Sequence, residues 1–438
     1  LIPVARVEIN PGASGAWTDI DVTAHLGGDA GNVAGVVLEV VSTALRDCMI
    51  RKNGSGDTYV SNHCFAGHYW CAVGIDGSDI FEAYLQDHTA TTIYLVAYIL
   101  NIEGGFLLNH VDKSPAAAAW NDVDISGDTG ADTAVCAFFF IESAATEAFG
   151  IRNNGSGDAR NQSFDAPVVQ GAFMSVDGAE KCEVWRQTVN TKVWLMGWLT
   201  SSYTSWVNAK DYATAVEDAW VEVDFSGDIP AGNSGACCDM HSTSAFAYPW
   251  GLRKNGAGYD NYLNFRYHQY GWVEIDANRK AEQKIDRADR QDLYLFGYTK
   301  VLGLPPSAPS APWCESNPAP AYDVCLNEST PEFSAIFEDP NPGDTATDVQ
   351  ICVATTEALL NADTPDMWNS GWIDITGEGL VEGNRCADQS YGGLPLSPYT
   401  VYWWKIRFKD ADGNTGAWSA NTSFRTASPE MVDFRSLI

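Results

Sequence analysis

Apolar residues along this chain fall in short runs, roughly four to eight long and rich in β-branched and aromatic side chains, separated by Gly, Asn and Asp. Gly35 to Val41 and Ile93 to Ile99 are examples. Such runs read as β-strands. Apolar spacing at i, i+3 and i+4 persists nowhere over the length of an amphipathic helix, so an all-β protein is predicted.

The pattern repeats. Ile50-Arg51-Lys52-Asn53-Gly54-Ser55-Gly56 returns as Ile151-Arg152-Asn153-Asn154-Gly155-Ser156-Gly157 and again as Leu252-Arg253-Lys254-Asn255-Gly256-Ala257-Gly258, at an interval of 101 residues both times. Each copy opens on a Trp with alternating acids (Trp17, Asp19, Asp21; Trp120, Asp122, Asp124; Trp220, Glu222, Asp224). An Asp follows the Asn-Gly segment at 76, 177 and 276, and an aromatic-rich strand closes each copy. A period near 100 is too long for a solenoid unit and suits a self-contained sandwich. Three beads are predicted, at 1–102, 103–201 and 202–300, jelly-roll-like in kind. Asn-Gly between strands predicts type I′ hairpins, whose central residues both need positive φ. The recurrent Arg and Asp are expected to pair, either as a clamp on the hairpin, the preferred reading, or as a sugar-binding pair. The alternating acids read as the solvated face of a strand.

Residues 301–312, with their prolines, read as an extended linker. Beyond them come Phe333-Ser334-Ala335-Ile336-Phe337, the strand Tyr399 to Phe408 with Trp403 and Trp404, Asp410-Ala411-Asp412-Gly413, and Trp418-Ser419. This order resembles a fibronectin type III or immunoglobulin-like domain, placed at 313–428 with a tail at 429–438. The three copies resemble tandem β-sandwich modules of secreted bacterial and viral surface proteins. That resemblance implies an extracellular display or assembly role and carries no catalytic residues with it.

Composition narrows the function. The chain has 438 residues, 26 basic against 57 acidic, for a net charge of −31. Phosphate backbones and anionic lipid surfaces repel such a chain, so no nucleic acid and no membrane insertion are expected. The longest apolar run, Ala134 to Ile141, is far short of the roughly 20 residues of a membrane helix. With 16 Trp, 18 Tyr and 18 Phe the chain folds despite its acidity.

The eleven cysteines suggest an oxidising compartment, with Cys314–Cys325, Cys352–Cys386 and Cys136–Cys182 as the expected disulfides. Buried thiols in a reducing cell are the alternative. Five N-x-S/T sequons mark candidate glycosylation sites at Asn53, Asn154, Asn161, Asn327 and Asn421, although turn chemistry already explains the first two.

For metals, His63, Cys64, His68 and Cys71 have no standard zinc spacing. Asp339, Asn341, Asp344 and Asp348 gather oxygen ligands as a Ca²⁺ site does, with Asx turns as the preferred explanation. No other cofactor is expected. Hydrolase motifs are lacking, and the seven histidines share no position across the copies. The apolar end residues Leu1, Ile2, Val4, Phe434, Leu437 and Ile438 are read as assembly segments that dock on neighbouring copies. Together these readings predict a non-enzymatic extracellular structural subunit of a cell or virion surface, self-assembling head to tail into a filament, surface layer or appendage. The alternatives are a carbohydrate-binding adhesin using Tyr69, Trp70 and Trp206, and a glycan-active enzyme.

Overall fold

The computed structural model describes all residues except 58–62, 65, 66, 144, 164–167, 244–247, 266, 267, 301–304, 316, 319, 320, 325–329, 340–343 and 427–438, and gives the backbone alone at a few strand residues beside these. Strands hold 53% of residues and helices 4%, so the chain is all-β as its pattern predicts. Among the described residues no helix is long and apolar enough to cross a membrane. Leu1–Val301 form one compact unit and Leu302–Ile438 a second.

In the first repeat, β1 (Ile2–Glu8), β2 (Trp17–Asp21), β3 (Val33–Ser42), β4 (Arg46–Lys52), β5 (His63–Cys64), β6 (Gly67–Gly74), β7 (Ile80–Leu85) and β8 (Thr91–Leu100) make two antiparallel sheets, ordered β1-β8-β3-β6 and β2-β7-β4-β5. Eight strands in this order are a jelly roll. The second repeat reproduces it with β9 (Gly104–Asp112), β10 (Trp120–Asp124), β11 (Cys136–Ser143), β12 (Ala148–Asn153), β13 (Gln162–Ser163), β14 (Val168–Ser175), β15 (Lys181–Arg186) and β16 (Thr191–Leu199). The third does so with β17 (Tyr203–Asp211), β18 (Val221–Asp224), β19 (Asn233–Ser242), β20 (Tyr248–Lys254), β21 (Leu263–Phe265), β22 (His268–Glu274), β23 (Lys280–Ile285) and β24 (Gln291–Lys300).

The outer sheets alternate as half-solvated strands must: β7 buries Phe81, Ala83 and Leu85, and β2 buries Ile20 between exposed Asp19 and Asp21. The inner sheets do not alternate. In β3 nearly every residue from Val33 to Ser42 is buried, because the partner sheet covers one face and the neighbouring repeats cover the other.

The repeats therefore are not separate beads. The edge strands β6, β14 and β22 meet at the centre of the unit. Trp70, Gly171 and Tyr270 hold equivalent places there, opposite Glu39, Phe140 and Asp239. Gly171 is required by this approach: a Cβ on it would lie 2.7 Å from Cys71 Cα and closer still to the carbonyl oxygen of Trp70. The Tyr270 hydroxyl receives the N–H of Ile151 across the next boundary (3.1 Å).

The Asn-Gly turns differ from the type I′ expectation. Only Gly54, Gly155 and Gly256 have positive φ (78°, 73° and 74°), and the Ser55 N–H closes the turn on the Lys52 carbonyl (3.0 Å). That is a turn with a glycine at its second central position. No tight hairpin follows, because each turn reaches out to the next repeat instead.

The second unit is a sandwich of two sheets around Phe333, Phe337, Tyr402, Trp404, Phe408 and Phe424. Its α-helix Glu357–Asn361 is capped by Thr356. The expected disulfides are corrected here, because Cys136, Cys182, Cys314, Cys352 and Cys386 are buried free thiols. Cys386 packs in the main core, whereas Cys352 points to the other face of its strand, against Ala354 and Leu360. Cys325 lies outside the described residues.

Candidate functional site

The repeated polar residues of the turn serve structure. Asp76 accepts from Asn53 Nδ2 (2.7 Å) and from the N–H groups of Ser78 and Ile80 (2.8 and 3.0 Å), and Asp177 and Asp276 do the same with Asn154 and Asn255. Burial alone would raise these carboxyls, but the donors overturn it and hold all three below the usual range. The recurrent Arg does not pair with this Asp. Arg51, Arg152 and Arg253 bind Glu82, Glu183 and Glu282 (2.9, 2.9 and 2.7 Å) and lie over the rings of Trp17, Trp120 and Trp220 (3.9, 4.0 and 3.9 Å to the centroids). The clamp exists, with Glu and Trp as its jaws.

Each turn packs on the first strand of the following repeat, and the third returns to the first, which closes a ring. Where β9 and β17 leave their register, Asn109 Oδ1 accepts from Ser55 Oγ and Gly56 N (3.1 and 2.9 Å), and Asn208 Oδ1 accepts from Ser156 Oγ and Gly157 N (3.0 and 2.9 Å). Asp57 then takes the His110 N–H and Asp158 the Ala209 N–H (both 2.9 Å).

The third junction departs from this scheme. Ala257 and Tyr259 stand where Ser and Asp stand in the other turns, and Ala5 stands where the Asn does. The out-of-register stretch is one residue shorter as well, 4–6 against 107–110 and 206–209. In the second-to-third junction Trp206 and Phe296 fill the space, Asn153 donates to the Trp206 carbonyl, and a cavity of only about 10 Å³ remains. In the third-to-first junction the shorter stretch has no Trp206 counterpart, and Val96 replaces Phe296. A cavity of about 460 Å³ opens there.

Its polar lining is an organised set. Arg6 Nε donates to Glu39 Oε2 (2.6 Å), and Asn261 Nδ2 donates to Glu39 Oε1 (2.8 Å). Glu39 is 2% exposed, a cost its two donors offset. The Arg6 guanidinium lies between the rings of Tyr94 and Tyr259 (3.2 and 4.4 Å to the centroids). Burial, then the Glu39 charge, pushes the Tyr259 phenol above its usual value, so it remains a neutral hydroxyl. Lys254 pairs with Glu274 at the other side, and Trp70 and Trp272 form buried walls. None of these residues was singled out as a polar site from sequence. The signal was there in the comparison of copies: Ala-Gly-Tyr in place of Ser-Gly-Asp.

The other expected positions are placed as follows. Asp339 and Asp344 come together with Asp410, their carboxylate oxygens within 4.8 Å of one another, a set able to hold a hard cation. Burial, then Asp410 and Asp412, raises the Asp344 carboxyl. Asn341 lies outside the described residues, and Asp348 accepts from Thr347 (3.0 Å) and faces Lys409 instead. Asp410 was read only as part of a hairpin landmark. Cys71 is buried near Cys48, its thiol pushed up by burial; the side chains of His63, Cys64 and His68 are outside the description. Leu1 is buried, and Ile2 pairs with Tyr98 of the same repeat, so β8 supplies the edge that β1 was expected to find in a neighbour. Val4 lines the cavity. Phe434, Leu437, Ile438 and Asn327 lie outside the described residues. Asn421 donates to Asn361 (2.7 Å), and Asn161 is half-buried. Tyr69 and Trp70 are buried, and Trp206 packs on Tyr298 (5.5 Å between centroids), so they are not free stacking platforms.

The second unit matches a family model described as the Rha78A-like N-terminal immunoglobulin domain, over residues 314–430. Residues 314–430 are an immunoglobulin-like domain. An α-L-rhamnosidase of Streptomyces avermitilis is 34% identical over 101 residues, which are 23% of this chain and 9% of that protein. Among solved structures, an α-L-rhamnosidase from Dictyoglumus thermophilum aligns at 22% identity over 27% of this chain and 12% of its own (TM-score 0.23). The Streptomyces avermitilis α-L-rhamnosidase complexed with L-rhamnose aligns at 29% over 27% and 10% (TM-score 0.23). The chain thus spans a small fraction of the relatives it matches.

These matches correct the functional expectation. The expectation of a non-enzymatic structural protein that self-assembles into filaments is overturned, because residues 314–430 match the Rha78A-like N-terminal immunoglobulin domain and the curated relative is an α-L-rhamnosidase. The resemblance to display modules misled because a sandwich fold carries no function by itself.

Proposed function

We propose that this chain works in the processing of α-L-rhamnoside-bearing glycans, as part of a glycoside hydrolase of the α-L-rhamnosidase kind. The observation that carries the reading is the family match over residues 314–430, joined by the 34% identity to a rhamnosidase. Glycoside hydrolysis needs two carboxyl groups flanking the scissile bond. Glu39 and Glu274 line one cavity and are the acids to examine first. The test is incubation of the full chain with 4-nitrophenyl α-L-rhamnoside, beside the α- and β-glucosides, together with calorimetry against methyl α-L-rhamnoside. Turnover or binding selective for the rhamnoside is expected. Absence of both overturns the reading.

A further inference from the structure

The structure assigns a saccharide-binding site to the cavity between the third and first repeats, where a neutral mono- or disaccharide is held inside the ring. The assignment deepens the proposed function and rests on it for the ligand's class, but its geometry stands apart.

Three arguments lead there. The first is the contrast between equivalent places. Ile151, Asn153, Asp158, Asp239, Tyr270 and Phe296 line the closed junction, and Leu252, Lys254, Tyr259, Glu39, Trp70 and Val96 hold the same places in the open one. One framework yields about 10 Å³ in the first case and about 460 Å³ in the second. The second volume lies within the roughly 300–1,000 Å³ of ligand pockets. The decisive change is Val96 for Phe296, at the extra residue of a β-bulge shared by all three repeats, a device that aims one side chain out of the sheet.

The second argument is charge. Arg6 and Lys254 are matched by Glu39 and Glu274, so the lining is neutral while offering strong donors and acceptors. An anion would face two carboxylates and a cation two basic groups; a neutral ligand with many hydroxyls meets no such repulsion and finds partners of both kinds. Arg6 Nη2 is buried with no hydrogen-bond acceptor among the described residues, so the Arg6–Glu39 pair holds a donor in reserve.

The third argument is the mixture of surfaces. Val4, Ala5, Val96 and the Tyr259 ring stand beside these ion pairs. A sugar ring has the same division, with C–H faces that stack on apolar and aromatic surface and a rim of hydroxyls. A 6-deoxy sugar, which carries a methyl group where other hexoses carry a hydroxymethyl group, suits it further.

The test is saturation-transfer NMR and calorimetry on the full chain with methyl α-L-rhamnoside, methyl α-D-glucoside and N-acetylglucosamine. At least one is expected to bind. Val96→Phe, copying the closed junction, should weaken it roughly ten-fold or more. Lys254→Asn, also copied from that junction and at a half-exposed position, should weaken it in a chain whose melting is unchanged, which covers the case in which Val96→Phe misfolds. Binding of none of the three, or binding unaffected by both variants, overturns the site. If the rhamnoside is hydrolysed while both variants bind as the parent does, the cavity assignment falls and the proposed function stands. If a glucoside or N-acetylglucosamine binds, the variants remove it and no rhamnoside is bound or cleaved, the cavity stands and the rhamnoside reading falls.

Discussion

Gly171→Ala tests whether the three sandwiches truly close on one another. Gly171 sits in β14 with an ordinary extended backbone, so alanine carries no conformational penalty there. The obstacle is the neighbouring repeat: the new methyl would sit 2.7 Å from Cys71 Cα and 2.9 Å from Cys71 Cβ, and against the Trp70 carbonyl. Backbone on both sides leaves no side-chain rotation to relieve it, so β6 and β14 must separate. Overpacking of this kind costs about 1–3 kcal/mol, more when backbone must move. At about 2–4 °C per kcal/mol in large domains, the melting temperature should fall by about 2–12 °C. Gly178→Ala, which meets open space at an ordinary φ, is the control and should change stability by less than about 0.5 kcal/mol. Gly271→Ala separates backbone from side-chain clashes, because its methyl meets the Trp70 ring (2.8 and 3.0 Å). Trp70→Leu should therefore partly rescue Gly271→Ala and leave Gly171→Ala unrescued, as a double-mutant cycle by thermal melting would show. Equal melting of Gly171→Ala and Gly178→Ala would refute the central contact.

Two further outcomes are expected. Burial pushes His110 down to about 4, against the opposing pull of Asp57, so the unfolded chain takes up this proton first. The stability it contributes is complete above about pH 6.5 and drains as pH falls toward 4. Urea titrations across that range should show the slope, flattened by His110→Phe; an unchanged slope would exclude His110 as its source. Below that range the loss should continue as Asp76, Asp177 and Asp276 protonate, since their folded values are also depressed. For the cysteines, burial pushes Cys352 and Cys386 up to about 11 and Cys71, Cys136, Cys237 and Cys238 well above the usual thiol range. The native protein should protect all nine described cysteines from iodoacetamide at neutral pH, and denaturation should expose them. Peptide mapping that finds Cys136 joined to Cys182 would contradict the buried thiols.

The fold was legible because periodicity and repetition are properties of the chain itself. Three copies and an immunoglobulin-like domain could be read from apolar runs, the Asn-Gly landmark and the Trp-rich strand near residue 403, whereas the linker expected at 301–312 runs into the second unit, where Ser310–Cys314 is a strand and Pro306 and Pro309 are buried. The cysteine pairing was not legible, since burial on opposite faces of one strand and pairing across a loop leave the same spacing in sequence. Nor was the partner of Arg51. Glu82 lies opposite it across a strand pair, a relation that depends on register. The cavity needed more still: Glu39, Tyr259 and Val96 are far apart in the chain, and only ring closure brings them together. Even so, Tyr259 breaks the rule set by Asp57 and Asp158, which is the trace that a comparison of the copies holds.

A trimer of identical subunits repeats every substitution at all of its contacts, so it cannot widen one of them alone. Tethering three sandwiches in a single polypeptide lifts that restriction. The boundary held by Ser156, Asp158 and Asn208 keeps only about 10 Å³ open, while the one built on Ala257, Tyr259 and Ala5 could widen to about 460 Å³ without disturbing it.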